Sequence, residues 1–316
     1  MRVSVLVPAY NCAATIVPTI ESVLQQTLVP HEILVMNDGS TDDTEKVLQT
    51  FGGKIRVFKQ PNQGLASARN ELIPHATGDL IAFLDSDDLW HPDYLKSQER
   101  RFLEYPDAVA FWTGHVNFSG KAGYDWTDAP SESEERVEVI PALEFFKRYN
   151  SRTGPFSCFS YCCVPKEVFT RVGKEPFREM GAEDSYCCSL LSLVGPVVLT
   201  STDLVAYRLR DDSLSKDHGW TFGVWVHVFE LLEEKFEAEA NAALLGAFRA
   251  AFASKRRVYA KLLMGMGRTR DARGQLRQSV QNSGNPRSVA KSLTLLSMTY
   301  LPRRMQPRWP SQFRPG

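Results

Sequence analysis

The sequence lacks several features that mark familiar classes of protein. No uninterrupted apolar run reaches the ~20 residues that a membrane-spanning helix needs. The opening residues, MRVSVLVPAY, contain neither a long apolar h-region nor a small-residue cleavage site. The six cysteines lack the CxxC spacing of zinc and redox sites. These absences predict a cytoplasmic protein whose thiols are reduced and buried.

Acidic residues are almost missing from the last fifth of the chain. From residue 251 to the end there are 14 Lys and Arg but one acid, Asp271, whereas residues 1–250 hold 23 basic and 36 acidic residues. The apolar spacing also becomes helical from Trp220 onward. We therefore expect a body over residues 1–215 and a helical, basic C-terminal extension over residues 216–316.

Strand and helix patterns alternate over the first hundred residues. The runs VSVLVPAY, EILVMND, KIRVFKQ and DLIAFLD are typical of buried strands, and helical spacing lies between them in TIESVLQQT, 41–51 and 64–72. Repeated strand–helix units predict an α/β fold, with a mostly parallel central sheet flanked by helices. Ligands of such sheets bind beyond the carboxyl ends of the strands.

Carboxylates are crowded in AFLDSDDLW, directly after one of these strands. Asp85, Ser86, Asp87 and Asp88 stand together here. Hard cations such as Mg²⁺ or Mn²⁺ prefer carboxylate oxygens, and substrate phosphates often complete their coordination. The alternative is a helix cap, and we expect Asp88 to be one for a helix starting near residues 91–92.

Two further polar side chains follow strand ends or open a helix. Asp38, in VMNDGSTDDT, can accept the ring N–H of uracil, thymine or guanine, or can cap the next helix. Arg69, in NQGLASARN, lies one turn into a helix and can reach a diphosphate, or can be solvated or ion-paired.

A second acidic group stands in MGAEDSYCC. Glu183 or Asp184 can take a proton from a sugar hydroxyl if it faces the reacting carbon, although acids also favour the first turn of a helix. Because adjacent helical residues point in different directions, we expect one of the pair to face the site and the other to pack or hydrogen-bond.

The order of these segments resembles the GT-A-fold glycosyltransferases of family two, over roughly residues 2–215. The matching segments are VSVLVPAYN, SVLQQT, EILVMNDGSTDDT, NQGLASARN, GDLIAFLDSDDLWHP, FREMGAEDS and LVAYRLRDDSLS.

The resemblance implies a role for each matching residue. Asp184 corresponds to the catalytic base, with Glu183 adjoining the acceptor, and Asp87 corresponds to the ligand of a divalent metal, Mn²⁺ or Mg²⁺. Tyr10 lies at the wall of the nucleobase turn, and Asp85 contacts ribose or metal-bound water. The implied nucleotide-binding residues are Pro8, Ala9, Tyr10, Asn11, Asp38, Gly39, Arg69, Asp85 and Ser86.

Two departures from the family pattern concern the metal and the acceptor pocket. Family members often carry a His two residues after a YR pair, where this sequence has Arg210. Arg210 can instead stabilise the diphosphate, and His218 is a further candidate ligand. The segment SYCCSLLS after Glu183 and Asp184 also differs, which implies a reshaped acceptor pocket.

The implied activity is inverting transfer of a sugar from a nucleotide-diphosphate donor, with UDP favoured. The acceptor is a hydroxyl of a saccharide or lipid-linked molecule, in the synthesis of cell-surface polysaccharide or glycoconjugate. One alternative is a nucleotide-sugar-binding module without activity. The other is a sugar nucleotidyltransferase, which would want a Gly-rich loop with Arg and Lys where the sequence reads VPAYNCAAT. A P-loop motif is also absent.

The basic extension mixes Lys and Arg with apolar residues, as in SKRRVYAKLLMGMGRTRDARGQLR. This mixture predicts peripheral contact with anionic lipid, at the inner face of the cell membrane. A solvated helical cap or a dimer contact is the alternative, and the oligomeric state stays open. No nucleic-acid-binding module accompanies the basic residues, so we expect no nucleic-acid partner.

Overall fold

The chain forms two compact units, Met1–Asp211 and Asp212–Gly316. The computed structural model describes residues 1–120, 123–126, 135–151, 156, 158–178, 181–209, 218–283 and 285–301, and for residues 218–222 the backbone alone. The boundary expected after residue 215 lies outside the described residues and stays a prediction.

The first unit alternates strands and helices along the chain. Its elements are β1 (Val3–Ala9), α1 (Ile16–Leu24), β2 (Glu32–Asp38), α2 (Thr44–Gln49), β3 (Arg56–Gln60), α3 (Leu65–Leu72), β4 (Leu80–Phe83), β5 (Leu89–Trp90), α4 (Tyr94–Glu104), β6 (Ala110–Phe118), β7 (Val137–Ile140), α5 (Ala142–Ser151), β8 (Cys162–Pro165), α6 (Lys166–Val172), α7 (Glu183–Val194) and β9 (Val197–Arg208).

The described strands form one sheet in the order β3-β2-β1-β4-β8-β6-β9-β5, and β7 pairs with β9. The first four strands in this order are parallel, as the strand–helix repeats predict. β8 then runs antiparallel between β4 and β6, while β6 and β9 are parallel. The carboxyl ends of β1, β2 and β4 therefore meet at one edge, where ligands of such sheets bind.

The apolar runs of the sequence are the buried strands of this sheet. Every residue of β1 and of β4 is buried. A parallel sheet covered on both faces needs apolar side chains on both sides of each strand, which explains continuous rather than alternating apolar runs.

The helix expected over 41–51 is shorter in the structure. Asp42 precedes α2 and accepts hydrogen bonds from the backbone N–H and the hydroxyl of Thr44, at 2.9 and 2.5 Å. These bonds form a local turn that competes with helical hydrogen bonding, so the helix begins only at Thr44.

The second unit contains four described helices, α8 (His218–Glu239), α9 (Ala242–Gly265), α10 (Thr269–Asn282) and α11 (Pro286–Met298). It has its own apolar core, made of Ala260, Leu263, Met264, Ala272, Leu276 and Leu295. Within the described ranges, no helix combines the length and the apolar character that crossing a bilayer requires.

Candidate functional site

Arg69 lies at the centre of a cluster of carboxylates. α3 carries Arg69 on its buried face, and its side chain is fully buried. Its Nη2 donates to Oδ1 of Asp85 at 2.7 Å, and its Nη1 donates to Oδ1 of Asp184 at 2.6 Å. The rings of Phe159 and Phe177 lie 5.7 and 5.2 Å from its Cζ. The guanidinium therefore joins the end of β4 to the start of α7. The contact with a nucleotide expected of Arg69 stays a prediction.

The pKa of Asp184 is raised toward neutral pH. Asp184 stands in the first turn of α7, and its side chain is 17% exposed. Burial raises the pKa of Asp184 to about 7, against the opposing charge of Arg69, while Glu183 and Asp85 raise it further. A general base works best when its pKa lies near the working pH. This geometry is compatible with the proton transfer expected of Asp184.

Glu183 points to a different partner from its neighbour. Its carboxylate accepts the backbone N–H of Gly181 at 2.6 Å, and the residue is buried. Burial raises the pKa of Glu183, and Arg69 opposes that rise. Asp184 thus pairs with Arg69, whereas Glu183 closes the turn before α7. Different partners are expected because adjacent residues on a helix point in different directions.

A short 3₁₀ helix, Phe159–Tyr161, holds the loop that carries Asp85. The backbone N–H of Asp85 donates to Oγ of Ser160 at 3.0 Å, and Nε1 of Trp90 donates to the carbonyl of Ser160 at 2.9 Å. Sequence reasoning did not identify Ser160. It lies 75 residues from Asp85, and no local motif marks the contact.

Asp88 does not cap a helix, contrary to expectation. α4 begins at Tyr94 with Asp93 before it, so the helix starts too late for Asp88 to reach its N–H groups. Asp88 is instead fully buried, and its Oδ1 accepts the backbone N–H of Arg208 at 2.9 Å. Burial, with the charges of Asp87 and Asp85, raises the pKa of Asp88 well above its usual range. The third acid of the group thus ties the loop to β9.

Arg208, which the sequence did not single out, also supports the carboxylate loop. Its Nε donates to the backbone carbonyl of Asp87 at 2.7 Å, and its Cζ lies 4.3 Å from the centre of the Phe118 ring. The backbone of the loop is thereby held from β9, while the half-buried side chains of Asp85, Ser86 and Asp87 lie at the edge of the sheet.

The donor atoms near this loop fit a hard divalent cation only in part. Ligand atoms of Asp85, Asp88 and Cys158 lie within 4.8 Å of one another. Burial raises the pKa of the Cys158 thiol well above its usual range, and a protonated thiol does not suit Mg²⁺ or Mn²⁺. The carboxylates fit better, because Mg²⁺ takes one or two of them and completes its shell with phosphates. Asp87 as the metal ligand stays a prediction.

Asp38 is buried at the end of β2 and binds the loop before α3. Its Oδ1 accepts Nε2 of Gln60 at 2.7 Å and the N–H of Gln63 at 2.9 Å, and its Oδ2 accepts the N–H of Gly64 at 2.8 Å. A carboxylate offers about four acceptor positions, so one is left beyond these three donors. The nucleobase contact expected of Asp38 stays a prediction.

Gly39, the next residue, occupies a position that excludes a side chain. Its φ is +70°, and a Cβ would lie 2.5 Å from the backbone nitrogen of Asn62. The close approach brings the loops after β2 and β3 together. Gly39 therefore shapes this edge whether or not it touches a nucleotide.

Asn11 links the loops that follow β1 and β2. Its Oδ1 accepts the N–H of Thr41 at 2.7 Å and of Asp42 at 3.3 Å, and its φ is +47°. Pro8 and Ala9 are buried in β1, whereas Tyr10 is 47% exposed. Tyr10 and Asn11 are thus the exposed residues of this predicted nucleobase turn.

Two further points concern residues at the margin of the site. Asn70 pairs with the backbone of Phe177 through two hydrogen bonds, Nδ2 to the carbonyl at 2.8 Å and N–H to Oδ1 at 3.1 Å. Sequence reasoning missed this contact between α3 and the segment before α7.

Arg210 and the side chain of His218, the two expected diphosphate or metal contacts, lie outside the described residues.

Comparison with known proteins identifies relatives of this chain. The chondroitin synthase of Pasteurella multocida (strain Pm70) is 35% identical over 158 residues, which make up 48% of this chain and 16% of that protein. The Escherichia coli protein named UDP-Glc:alpha-D-GlcNAc-diphosphoundecaprenol beta-1,3-glucosyltransferase WfgD is 43% identical over 115 residues, 36% of this chain and 45% of that protein. The chain thus spans less than half the length of these curated relatives.

A solved structure confirms the fold. The crystal structure of S. aureus TarS 1–349 in complex with UDP-GlcNAc matches with a TM-score of 0.70 and 16% identity, covering 95% of this chain and 89% of that one. The expected α/β fold of GT-A type, with C-terminal helices, is therefore correct. The sequence profile described as Glycosyl transferase family 2 matches residues 4–171. More than half of the chain thus carries the family pattern, and the chain belongs to glycosyl transferase family 2.

Proposed function

We propose that the protein is an inverting glycosyltransferase that moves a sugar from a nucleotide-diphosphate donor, with UDP favoured, to a hydroxyl acceptor. The observation that carries the proposal is the bridge that Arg69 makes between Asp85 and Asp184. Through this bridge Asp184, whose pKa burial raises to about 7, lies beside the carboxylate loop at the ligand edge of the sheet, which supports its assignment as the base.

The chain's own residues supply the proton transfer and its orientation. Asp184 accepts the proton of the acceptor hydroxyl while that oxygen forms a bond to the anomeric carbon. The bond from this carbon to the diphosphate breaks on the opposite face, so the anomeric configuration inverts. Arg69 fixes the carboxylate of Asp184 and keeps part of it ionised at neutral pH.

A divalent cation, Mn²⁺ or Mg²⁺, would be held by Asp87 and the donor's phosphates, and it would neutralise charge on the leaving diphosphate. Asp85 is the predicted contact to ribose or metal-bound water. Its backbone N–H donates to Ser160 and its side chain accepts from Arg69, so both parts of the residue are held in position. Preorganised charge of this kind is usually the largest contribution to catalysis.

Relatives support a UDP-linked donor and an acceptor in surface glycan synthesis. TarS was solved with UDP-GlcNAc, and WfgD is named for UDP-Glc and a diphosphoundecaprenol acceptor. For this chain we propose only the class of each substrate. The donor is a nucleotide sugar, and the acceptor is a saccharide or lipid-linked hydroxyl in polysaccharide or glycoconjugate synthesis. Peripheral contact of the basic second unit with the inner face of the membrane would suit a lipid-linked acceptor.

The test is transfer and donor hydrolysis by full-length protein with a panel of UDP-, GDP- and TDP-sugars and Mn²⁺. We expect Asp184→Asn to lose transfer by ~10²–10⁴-fold, the usual contribution of a general base, while donor binding by calorimetry persists. We expect Asp87→Ala to lose the part of donor binding that requires Mn²⁺. Asp43→Asn, at an exposed residue paired with Lys46, is the control.

Near-normal transfer by Asp184→Asn would refute the assigned base. Donor binding that ignores Mn²⁺ in both the wild type and Asp87→Ala would refute the metal role. Donor binding without hydrolysis or transfer in the wild type would favour a binding module that lacks activity.

A further inference from the structure

A cleft in the second unit lies between α9 and the start of α11. Its volume is about 740 Å³, and its lining includes Arg257 of α9 with Asn285, Arg287, Ser288 and Lys291 of α11. Three of the lining side chains are cationic, and among the described residues that line the cleft none is acidic. This composition suits an anionic ligand.

Arg257 is a half-buried cation whose described partners are hydroxyls. Its Nη1 donates to Oγ of Ser288 at 2.8 Å, with longer contacts to Ser292 at 3.3 Å and Ser279 at 3.4 Å. Within the part of the chain that the structure describes, no carboxylate pairs with it. Burial lowers the pKa of Arg257. A desolvated cation without a counter-charge is unfavourable, so a bound anion would stabilise this arrangement.

Arg287 and Lys291 add two exposed charges to the same cleft, four residues apart on α11. Neither makes an ion pair with another described residue. Two other cations of the unit, by contrast, do form ion pairs. Arg249 pairs with Glu237 at 2.9 Å, and Arg256 pairs with Glu230 at 3.1 Å. The cleft thus groups three cations for which the described residues offer no carboxylate partner.

We propose that this cleft binds a phosphate group. The fork of the Arg257 guanidinium and the charges of Arg287 and Lys291 would contact its oxygens, since guanidinium matches phosphate geometry. The phosphate belongs either to an anionic lipid headgroup or to a soluble phosphate ester. The inference does not depend on the proposed glycosyl transfer, because no residue of the first unit takes part.

The test uses the full-length chain and two kinds of probe at one fixed salt concentration. Calorimetry measures binding of inorganic phosphate and glycerol phosphate. Flotation measures binding to phosphatidylcholine vesicles with or without equimolar phosphatidic acid. The test variant is Arg287→Ala with Lys291→Ala, and the control is Arg270→Ala with Arg277→Ala. Both pairs are exposed and remove the same charge, but the control pair lies on α10, away from the lining.

We expect the test variant to weaken binding to at least one probe by about tenfold or more, because charged hydrogen bonds are lost. The control should keep wild-type affinity, and Arg257→Lys should also weaken binding because it loses the fork. Loss with the soluble probes would identify a soluble ester as the ligand, and loss with phosphatidic acid vesicles alone would identify a lipid headgroup. Equal weakening by test and control pairs would assign binding to diffuse charge and overturn the proposal. Absence of binding by the wild type to every probe would overturn it as well.

Discussion

Arg69 joins two carboxylates that are far apart in the sequence, Asp85 at a separation of 16 residues and Asp184 at 115. Its side chain is fully buried, and the two carboxylates are only 24% and 17% exposed. The pairs are therefore poorly screened by solvent. Removing the shared cation would leave two carboxylates close together without compensation.

We expect Arg69→Ala to lower the free energy of unfolding by about 3 kcal/mol or more, the usual loss when one partner of a buried ion pair is removed. Arg69→Lys should also destabilise the protein, since an ammonium cannot reproduce the guanidinium fork. Urea unfolding measures both changes. Arg56→Lys, in the more exposed pair with Glu32, is the control and should change stability little. Equal effects at positions 56 and 69 would contradict the central role of Arg69.

The pH dependence of kcat/KM should report Asp184. A base must be ionised to accept a proton, so we expect kcat/KM to rise with pH and level off above about 7, the pKa to which burial raises Asp184. The free energy of unfolding should change with pH in the opposite direction to kcat/KM. Between the usual value of 3.8 and about 7, the folded chain holds a proton that the unfolded chain has lost, so the free energy of unfolding falls as pH rises.

Asp184→Asn should remove this contribution to the pH dependence of urea unfolding. The measurement needs no substrate, so it stands apart from any activity assay. A kcat/KM profile that is flat through the neutral range would show that Asp184 is not the titrating base.

At the scale of the elements, the site depends on loops held together by side-chain to backbone hydrogen bonds. Ser160 holds the loop after β4, Asp38 holds the loop before α3, and Asn70 holds the segment before α7. Each contact crosses between segments that are distant in the sequence. These hydrogen bonds hold the loops at the edge of the sheet in position, the kind of preorganisation on which electrostatic catalysis depends.

Gly39 offers a test of this packing between loops. We expect Gly39→Ala to cost about 1–3 kcal/mol of unfolding free energy, because its left-handed backbone and its contact with Asn62 both disfavour a side chain. Gly53→Ala is the matched control, since a Cβ there meets nothing within 4 Å. Urea unfolding compares the two. A loss at Gly53 as large as that at Gly39 would show that the close approach is not the cause.

At the scale of the whole molecule, the chain separates into two units with separate cores. The first unit contains the sheet and every described residue of the candidate site, and the second has its own apolar cluster around Leu263 and Leu276. Independent cores are what allow units of one chain to fold separately.

We therefore expect residues 1–211, expressed alone, to fold cooperatively and to retain Mn²⁺-dependent hydrolysis of the donor. Circular dichroism with thermal unfolding measures the fold, and release of nucleoside diphosphate measures the activity. The full-length chain is the reference, and Asp184→Asn in the shorter chain is the inactive control. A shorter chain without cooperative unfolding would show that the first unit needs the second.

The local patterns predicted much of the fold because they depend on neighbouring residues. Apolar runs predicted β1, β2 and β4, and a helix start was one of the two interpretations of Glu183 and Asp184, where α7 begins. The antiparallel strand β8 between β4 and β6 was not predicted. The contact of Ser160 with Asp85 was therefore missed as well, because Ser160 lies in the short 3₁₀ helix directly before β8. Asp88 was wrongly assigned as a cap, since the sequence does not show that β9 offers it a backbone N–H.

The sequence by itself determined the alternating elements, the acidic body with its basic C-terminal part, and the set of residues that resembles family two. These follow from periodicity, composition and short motifs, which need no knowledge of distant contacts. Only the tertiary structure decided that Arg69 joins Asp85 to Asp184, that Glu183 turns away to Gly181, and that Asp184 has a raised pKa. Burial and the placement of opposite charges set these properties, and both depend on packing between segments such as those that carry Arg69 and Asp184, which are 115 residues apart.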